Sequence, residues 1–184
     1  MSIILIRHAP VPGNLRHAYI GCRTDESICE NAPQEIAKRR YPIAERVFVS
    51  PLKRCTETAA LIYPHIRPII VDDFRECDFG AFEGLNYEQL NGRSDYQAWI
   101  DSGGELPFPG GESRREFAER CVRAFRKLDY SGDTAIVAHG GTIMAIMEAL
   151  AVPQGSYFDY QVKNLEGFIL SRDGTYTKST FEIL

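Results

Sequence analysis

Short apolar runs recur along the chain, and three of them end in cationic or imidazole clusters. Ile3-Ile4-Leu5-Ile6 runs into Arg7-His8, and Val47-Phe48-Val49 runs into Ser50-Pro51-Leu52-Lys53-Arg54. Ala135-Ile136-Val137-Ala138 runs into His139-Gly140-Gly141. Continuous apolar runs of this length, bounded by turn signals, predict strands buried on both faces, as in a parallel sheet. Helical signals alternate with them. Gln34 to Tyr41 predicts a short helix stopped by Pro42. Ser50 as N-cap with Pro51 in the first turn predicts a helix to about Tyr63. Ile66 to Val71 reads as a strand that Pro68 confines to a sheet edge. Ser113-Arg114-Arg115-Glu116 is a capping box, followed at helical spacing by Phe117, Cys121, Ala124, Phe125 and Leu128 as one apolar face. A helix is expected from about Thr142 to Leu150, and a hairpin over Gly167 to Thr180 turning at Asp173-Gly174.

Two stretches break the rhythm. Pro10 to Pro33 is long for a structureless connection and is therefore expected to be partly ordered or functional. The segment of about 74–112 holds small helices with caps at Asn86 and Ser94 and many aromatics, and is expected to pack over the strand ends as a cap-like insertion. No repeat or linker interrupts the remainder. The expectation is an α/β fold in one domain over residues 1–184.

Composition narrows the function. With 44% hydrophobic and 25% charged residues the chain reads as an ordinary soluble domain, and a net charge of −4 offers no electrostatic footprint for nucleic acid or an acidic membrane. The basic run Lys38-Arg39-Arg40 is expected on a solvated helix face. No leader pattern opens the sequence, and no run reaches the ~18 apolar residues of a membrane span. Five cysteines without a CxxC pair argue against a disulfide framework or zinc knuckle and for a cytoplasmic setting, with Cys77 a small packed thiol.

In an open α/β sheet, ligands bind beyond the carboxyl ends of the strands, so Arg7, His8, Arg54 and His139 are expected to converge at one rim. That grouping suits a phosphomonoester. Arginine's planar fork binds phosphate oxygens bidentately without losing its charge, and the N–H groups of Gly140-Gly141 at a helix start add anion affinity. His139 can donate a hydrogen bond to the same group. No HCxxxxxR loop supplies a thiol nucleophile, and no Asp-x-Asp or metal-spaced cluster supports an aspartyl-phosphate or two-metal route. Histidine can itself carry a phosphoryl group. Nearby arginine charge would hold His8 neutral and nucleophilic. Glu76 is the best-placed acid to protonate the leaving alkoxide, with Asp78 and Glu83 as competitors. His17 and His65 join no such pattern and are expected in loop and surface positions.

The chain resembles the histidine phosphatase superfamily, in its phosphoglycerate-mutase-like branch. The resemblance rests on Leu5-Ile6-Arg7-His8 with Asn14 six residues on, and on Ser50-Pro51-Leu52-Lys53-Arg54-Cys55-Thr56-Glu57-Thr58-Ala59. It continues through Glu76-x-x-Phe79-Gly80-x-x-Glu83-Gly84, Pro109-Gly110-Gly111-Glu112-Ser113 and Val137-Ala138-His139-Gly140-Gly141. It implies a three-layer α/β/α sandwich with a mostly parallel sheet, no metal and no cofactor. His8 would be the phosphorylated nucleophile and Glu76 the proton donor. Arg7, Arg54 and His139 would form the phosphate pocket, with Asn14 an added contact.

Within the superfamily the Arg-His-Ala-Pro-Val opening, Tyr19-x-Gly21 with Arg23-Thr24-Asp25, and Pro-Gly-Gly-Glu-Ser look most like the α-ribazole-5′-phosphate phosphatases of cobalamin synthesis. Ala9 departs from the usual glycine and is expected to crowd the phosphate loop. There is an extra residue between Gly21 and Asp25, and Met144 stands where arginine is frequent. The implied activity is metal-independent hydrolysis of a small phosphorylated metabolite, α-ribazole 5′-phosphate among them, through a phosphohistidine. The alternatives are a broad-specificity sugar-phosphate phosphatase, a phosphoglycerate mutase and a phosphoprotein phosphatase. Phe82, Tyr87, Tyr96, Trp99 and Phe108 favour a covered small-molecule pocket, unless they are simply core. The oligomeric state stays open, a homodimer included.

Overall fold

A computed structural model describes residues 2–182 of the chain. It builds strands β1 (Ser2–Arg7), β2 (Arg46–Val49), β3 (Ile69–Ile70), β4 (Thr134–Ala138), β5 (Gly167–Ser171) and β6 (Tyr176–Ser179). The helices are α1 (Pro12–Leu15), α2 (Ala32–Ala37), α3 (Lys53–Ile62), α4 (Tyr87–Leu90), α5 (Ser94–Asp101), α6 (Arg114–Arg126) and α7 (Gly140–Leu150). The strands form one six-stranded sheet in the order β3-β2-β4-β1-β5-β6, with β1 to β4 mutually parallel and the β5–β6 hairpin antiparallel. This is the mostly parallel α/β architecture expected. Among the described residues, no helix is long and apolar enough to cross a membrane.

Strand alternation divides the core into two faces. Ile3, Leu5, Phe48, Ile136 and Ala138 pack with Phe74 and residues of α6 and α7 on one side. Ile4, Ile6, Val47, Val49, Ala135 and Val137 pack with Cys55, Ala59 and Tyr63 on the other, under α3. Each fully buried aliphatic or aromatic side chain of this kind contributes about 1.5–3 kcal/mol. Because β1, β2 and β4 are buried on both faces, they read as unbroken apolar runs rather than alternating ones. Register then aligns their ends, with Arg7 opposite Ala138 and Val49 opposite Val137. His8, Ser50 and His139, the next residues, therefore stand at one rim.

Several boundaries differ from expectation for local reasons. The second helix opens at Ala32, with Pro33 in its first turn, and ends at Ala37. Lys38-Arg39-Arg40 follows that end, and Arg39 is mostly covered by its contacts to Glu35 and Glu182. Ser50 does not cap α3, which starts at Lys53 after an extended Leu52. Asp25, from the long loop, accepts the Lys53 N–H at 2.7 Å and takes the capping role. The strand expected over 66–71 shrinks to Ile69–Ile70 at the sheet edge, because Pro68 has no N–H to pair. Ser94 is the first residue of α5 rather than its cap. Gly140 and Gly141 belong to α7, which begins two residues before the expected Thr142. The capping boxes at Asn86 and Ser113 form as expected.

The segment 74–112 contributes no strand to the sheet. Its rings are largely a satellite core: Phe82 and Phe108 are buried, and Trp99 stacks on Phe108 with centroids 5.0 Å apart. Tyr87 instead faces solvent. The Pro10–Pro33 loop is ordered by α1 and by bridges from Ala18 to Asn86 and Tyr19 to Glu83.

Candidate active site

β1 delivers Arg7 and His8 to the rim. His8 is 3% exposed, and its Nδ1 lies 2.7 Å from the Ala9 carbonyl oxygen. A carbonyl can only accept, so Nδ1 carries the proton and Nε2 carries the lone pair. Burial pushes the His8 pKa well below 6.5, and the Arg54 and Arg7 charges push it the same way. The ring is thus neutral, with Nε2 unencumbered and able to act as a nucleophile. Arg7 Nη1 donates to the Val162 carbonyl at 2.7 Å, while its Nε is buried with no partner. Asn164 Nδ2 donates to the His8 carbonyl at 2.9 Å and reaches Asn14 Oδ1 at 3.3 Å, which ties Asn14 into the same loop.

β4 delivers His139, fully buried, whose ring centroid is 5.2 Å from that of His8. Arg54 Nε donates to His139 Nδ1 at 3.3 Å, so the neutral ring bears its proton on Nε2. That N–H faces Ser50 Oγ at 2.7 Å. Burial, reinforced by Arg54, His8 and Arg7, holds the His139 pKa well below 6.5. Arg54 comes from the first turn of α3 and is completely buried. Its remaining N–H groups go to the carbonyls of Thr24, Gly21 and Ile20 at 2.8, 2.9 and 3.4 Å. The arginine expected to face an oxygen cluster with Arg7 is therefore closed over by the 20–24 loop, and it acts on both imidazoles through its charge.

Glu76 follows the 3₁₀ turn Asp72–Phe74 and is 8% exposed. Oε1 accepts from Cys77 N at 3.0 Å and Oε2 from Gly141 N at 3.4 Å. Burial raises its pKa above the usual carboxylate value, against the lowering effect of those N–H groups and of Arg54 and Arg7. Burial thus biases the Glu76 carboxyl toward its protonated form and the His8 imidazole toward its neutral form, the pairing that an acid and a nucleophile would need.

Arg7, Glu76, Gly140 and Gly141 form the polar end of a cavity of about 350 Å³. Tyr19, Phe79, Trp99, Phe108, Phe117 and Tyr157 supply aromatic walls. Asn14 and Met144 also line it, whereas His8, Arg54 and His139 are buried and do not. Neither competing carboxylate lines this cavity. Asp78 pairs with Arg23 at 2.7 Å, and Glu83 accepts from Gly21 N at 2.9 Å. Ala9 does not crowd the site, since it packs with Ala32, Ile36 and Leu165 in a separate cluster. His17 lies in an exposed loop and His65 on the surface. Cys77 is a buried thiol, as expected. Sequence reasoning makes Ser50 a cap and misses its contact with His139. Its position at the end of β2, level with two strand-end histidines, is the signal that could have found it. Among the described residues, no group of three or more His, Cys, Asp or Glu side chains could hold a metal ion.

Residues 3–180 match the family model described as histidine phosphatase superfamily (branch 1). An uncharacterized phosphatase of Bacillus subtilis is 29% identical over 161 residues, covering 82% of this chain and 77% of that protein. The crystal structure of the alpha-ribazole phosphatase from Shigella flexneri superposes with a TM-score of 0.82 at 20% identity, over 100% of this chain and 96% of that one. At that identity the likeness concerns the fold. A phosphoglycerate mutase structure from Thermus thermophilus gives a TM-score of 0.76 at 26% identity, covering 100% of this chain and 99% of the other.

Proposed function

The chain belongs to the histidine phosphatase superfamily, and we propose that within it this protein hydrolyses small phosphomonoesters through a phosphohistidine at His8. The observation that carries this reading is the His8 ring, buried and neutral with Nε2 free, beside two arginines and a carboxyl that favours its protonated form. The ester's dianion is seated by Arg7, whose Nε has no partner, and by the Gly140 N–H at the opening of α7, the Gly141 N–H being given to Glu76. Nε2 of His8 attacks phosphorus, the bond to the ester oxygen breaks, and Glu76 passes its proton to that oxygen as the alcohol leaves. Glu76, now a carboxylate, accepts a proton from the water that attacks phosphorus. The P–N bond breaks, and phosphate and neutral His8 are released. His139 acts on the phosphoryl seat through Arg54, whose Nε donates to its Nδ1 while Ser50 holds its Nε2–H. Asn14 and Gly140 complete the rim.

The aromatic walls suit an alcohol with a flat apolar portion, so α-ribazole 5′-phosphate heads the substrates to be tried, ahead of sugar phosphates. Segment 74–112 serves as a cap that covers this alcohol, which disfavours phosphoproteins as substrates. The direct test is to trap the phosphoenzyme with a rapid acid-free quench. His8→Ala abolishes both turnover and the acid-labile, alkali-stable phosphoryl label, and near-normal turnover in that variant overturns the proposal. Activity is expected to survive a chelator. A screen of phosphorylated metabolites identifies the alcohol.

A further inference from the structure

The Pro109-Gly110-Gly111-Glu112 phrase and α6 hold the segment that carries Glu76 from both sides. Arg120 forms a two-pronged pair with Glu112, Nε to Oε1 at 2.9 Å and Nη2 to Oε2 at 2.8 Å. Its third nitrogen, Nη1, donates to the Asp73 and Arg75 carbonyls at 2.7 and 3.0 Å. Glu112 Oε2 also accepts the Asp78 N–H at 2.9 Å, and Glu112 N donates to the Asp78 carbonyl at 2.9 Å. One ion pair thus grips the backbone immediately before Glu76 and two residues after it. Close backbone contact makes this possible. A Cβ on Gly111 would fall 2.2 Å from the Asp78 carbonyl oxygen, and one on Gly80, at φ +52°, 2.2 Å from the Pro109 carbonyl oxygen. The Arg120 guanidinium also lies 5.2 Å from the centroid of Phe117, a ring in the wall of the cavity.

We propose that Arg120 and Glu112 are positioning residues for the proton donor, a brace that fixes where the Glu76 carboxyl sits relative to the departing oxygen. This inference rests on the reading of Glu76 as the acid. A surface staple with only a structural role would stabilise the fold without regard to leaving group. A brace for the acid is felt only when the leaving group needs a proton. Phenolates leave without one and alkoxides do not, so the ratio of the two activities reports the acid's placement.

The experiment measures kcat/KM for glycerol 2-phosphate and p-nitrophenyl phosphate in the full chain and in Arg120→Lys, Glu112→Gln and Glu76→Gln. Lysine keeps the charge but cannot grip Glu112 and two carbonyls at once. Glutamine at 112 keeps an acceptor for Asp78 N and weakens the pair, so it tests the same brace with little disturbance to folding. The expected result is a loss on glycerol 2-phosphate about tenfold larger than on the aryl ester in both brace variants. Glu76→Gln should show a larger split in the same direction. Equal losses on both esters, or none, in the brace variants while Glu76→Gln shows the split overturn the brace. Absence of a split in Glu76→Gln overturns the acid assignment, and the brace falls with it.

Discussion

Gly141→Ala should separate activity from stability. Gly141 sits in the first turn of α7, and a Cβ there would lie 2.5 Å from Glu76 Oε1 and 2.9 and 3.0 Å from Phe117 Cε1 and Cζ. Ordinary contact begins near 3.4 Å, so the carboxyl must retreat by about 1 Å or the ring must swing aside. The retreat also weakens the bond from Gly141 N, already 3.4 Å long. A displacement of about 1 Å at a reacting group costs on the order of 100-fold in rate, or about 2.7 kcal/mol of barrier. Stability should change less. Overpacking costs about 1–3 kcal/mol, and alanine returns up to about 1 kcal/mol of helix propensity at a position with ordinary helical backbone. The assay is kcat/KM on glycerol 2-phosphate and on p-nitrophenyl phosphate, with a melting curve on the same preparation. The expected pattern is a roughly 100-fold loss on the alkyl ester, a markedly smaller loss on the aryl ester, and a cooperative melt within a few degrees of the parent. Full activity on the alkyl ester would show that the Glu76 carboxyl has no required position, and an equal loss on both would show that the damage lies elsewhere.

Other outcomes follow from the same geometry. Ser50→Ala leaves the buried His139 Nε2–H without its acceptor at 2.7 Å and should destabilise the fold by about 1–3 kcal/mol, read by denaturant unfolding. An unchanged midpoint would mean that the contact contributes nothing. Trp99→Ala should raise KM about threefold to tenfold for an ester of a flat aromatic alcohol and leave that for glycerol 2-phosphate nearly unchanged, because the indole is an aromatic wall of the cavity and the phosphate is proposed to sit on Arg7. Equal KM shifts would remove the indole from substrate recognition. Stability should also fall as pH drops below about 6.5. The folded pKa values of His8 and His139 are depressed, so the unfolded chain takes up protons first and the contribution of the neutral rings is progressively lost. Glu76 runs the other way: its folded pKa is raised, and its contribution is full below 4.5 and lost as pH rises through the folded value. Calorimetry across pH 5–8 checks the first slope, and His8→Gln should flatten it.

What the chain disclosed and what it withheld differ by range. The rim residues were legible because β1, β2 and β4 are buried on both faces, and unbroken apolar runs locate their own ends. Arg7, His8 and His139 then follow from position alone. Glu76 was legible only as the best of three nearby carboxylates. The bonds that commit Asp78 to Arg23 and Glu83 to Gly21 span 55 and 62 residues, beyond any local pattern. Ser50 misled for the opposite reason. Ser-Pro is a strong local helix signal, yet a buried histidine 89 residues away claimed the hydroxyl, and Asp25 took over as cap. The closure of the 20–24 loop on Arg54 was invisible too, because backbone carbonyls carry no sequence identity.

Arg7 and Arg54 differ in how their donors are partnered, and the difference has a measurable consequence. Burial and the two arginines hold both imidazoles toward their neutral forms, and the carboxyls of Glu76 and Glu166 are the acidic groups that act on Arg7. Arg54 is compensated by three loop carbonyls and His139, whereas Arg7 has a single carbonyl partner and an orphaned Nε. A buried donor left unsatisfied costs about 1–3 kcal/mol, and the folded state bears that cost until an anion arrives. Inorganic phosphate or vanadate should therefore stabilise the fold, by about 2.7 kcal/mol when present at 100 times its dissociation constant. Arg7→Gln removes both the charge and the orphaned donor. It should abolish most of the phosphate-dependent rise in melting temperature while raising, or leaving unchanged, the melting temperature without phosphate. If phosphate stabilises Arg7→Gln as strongly as the parent, the anion binds away from the β1 rim, and the phosphoryl seat assigned to Arg7 is wrong.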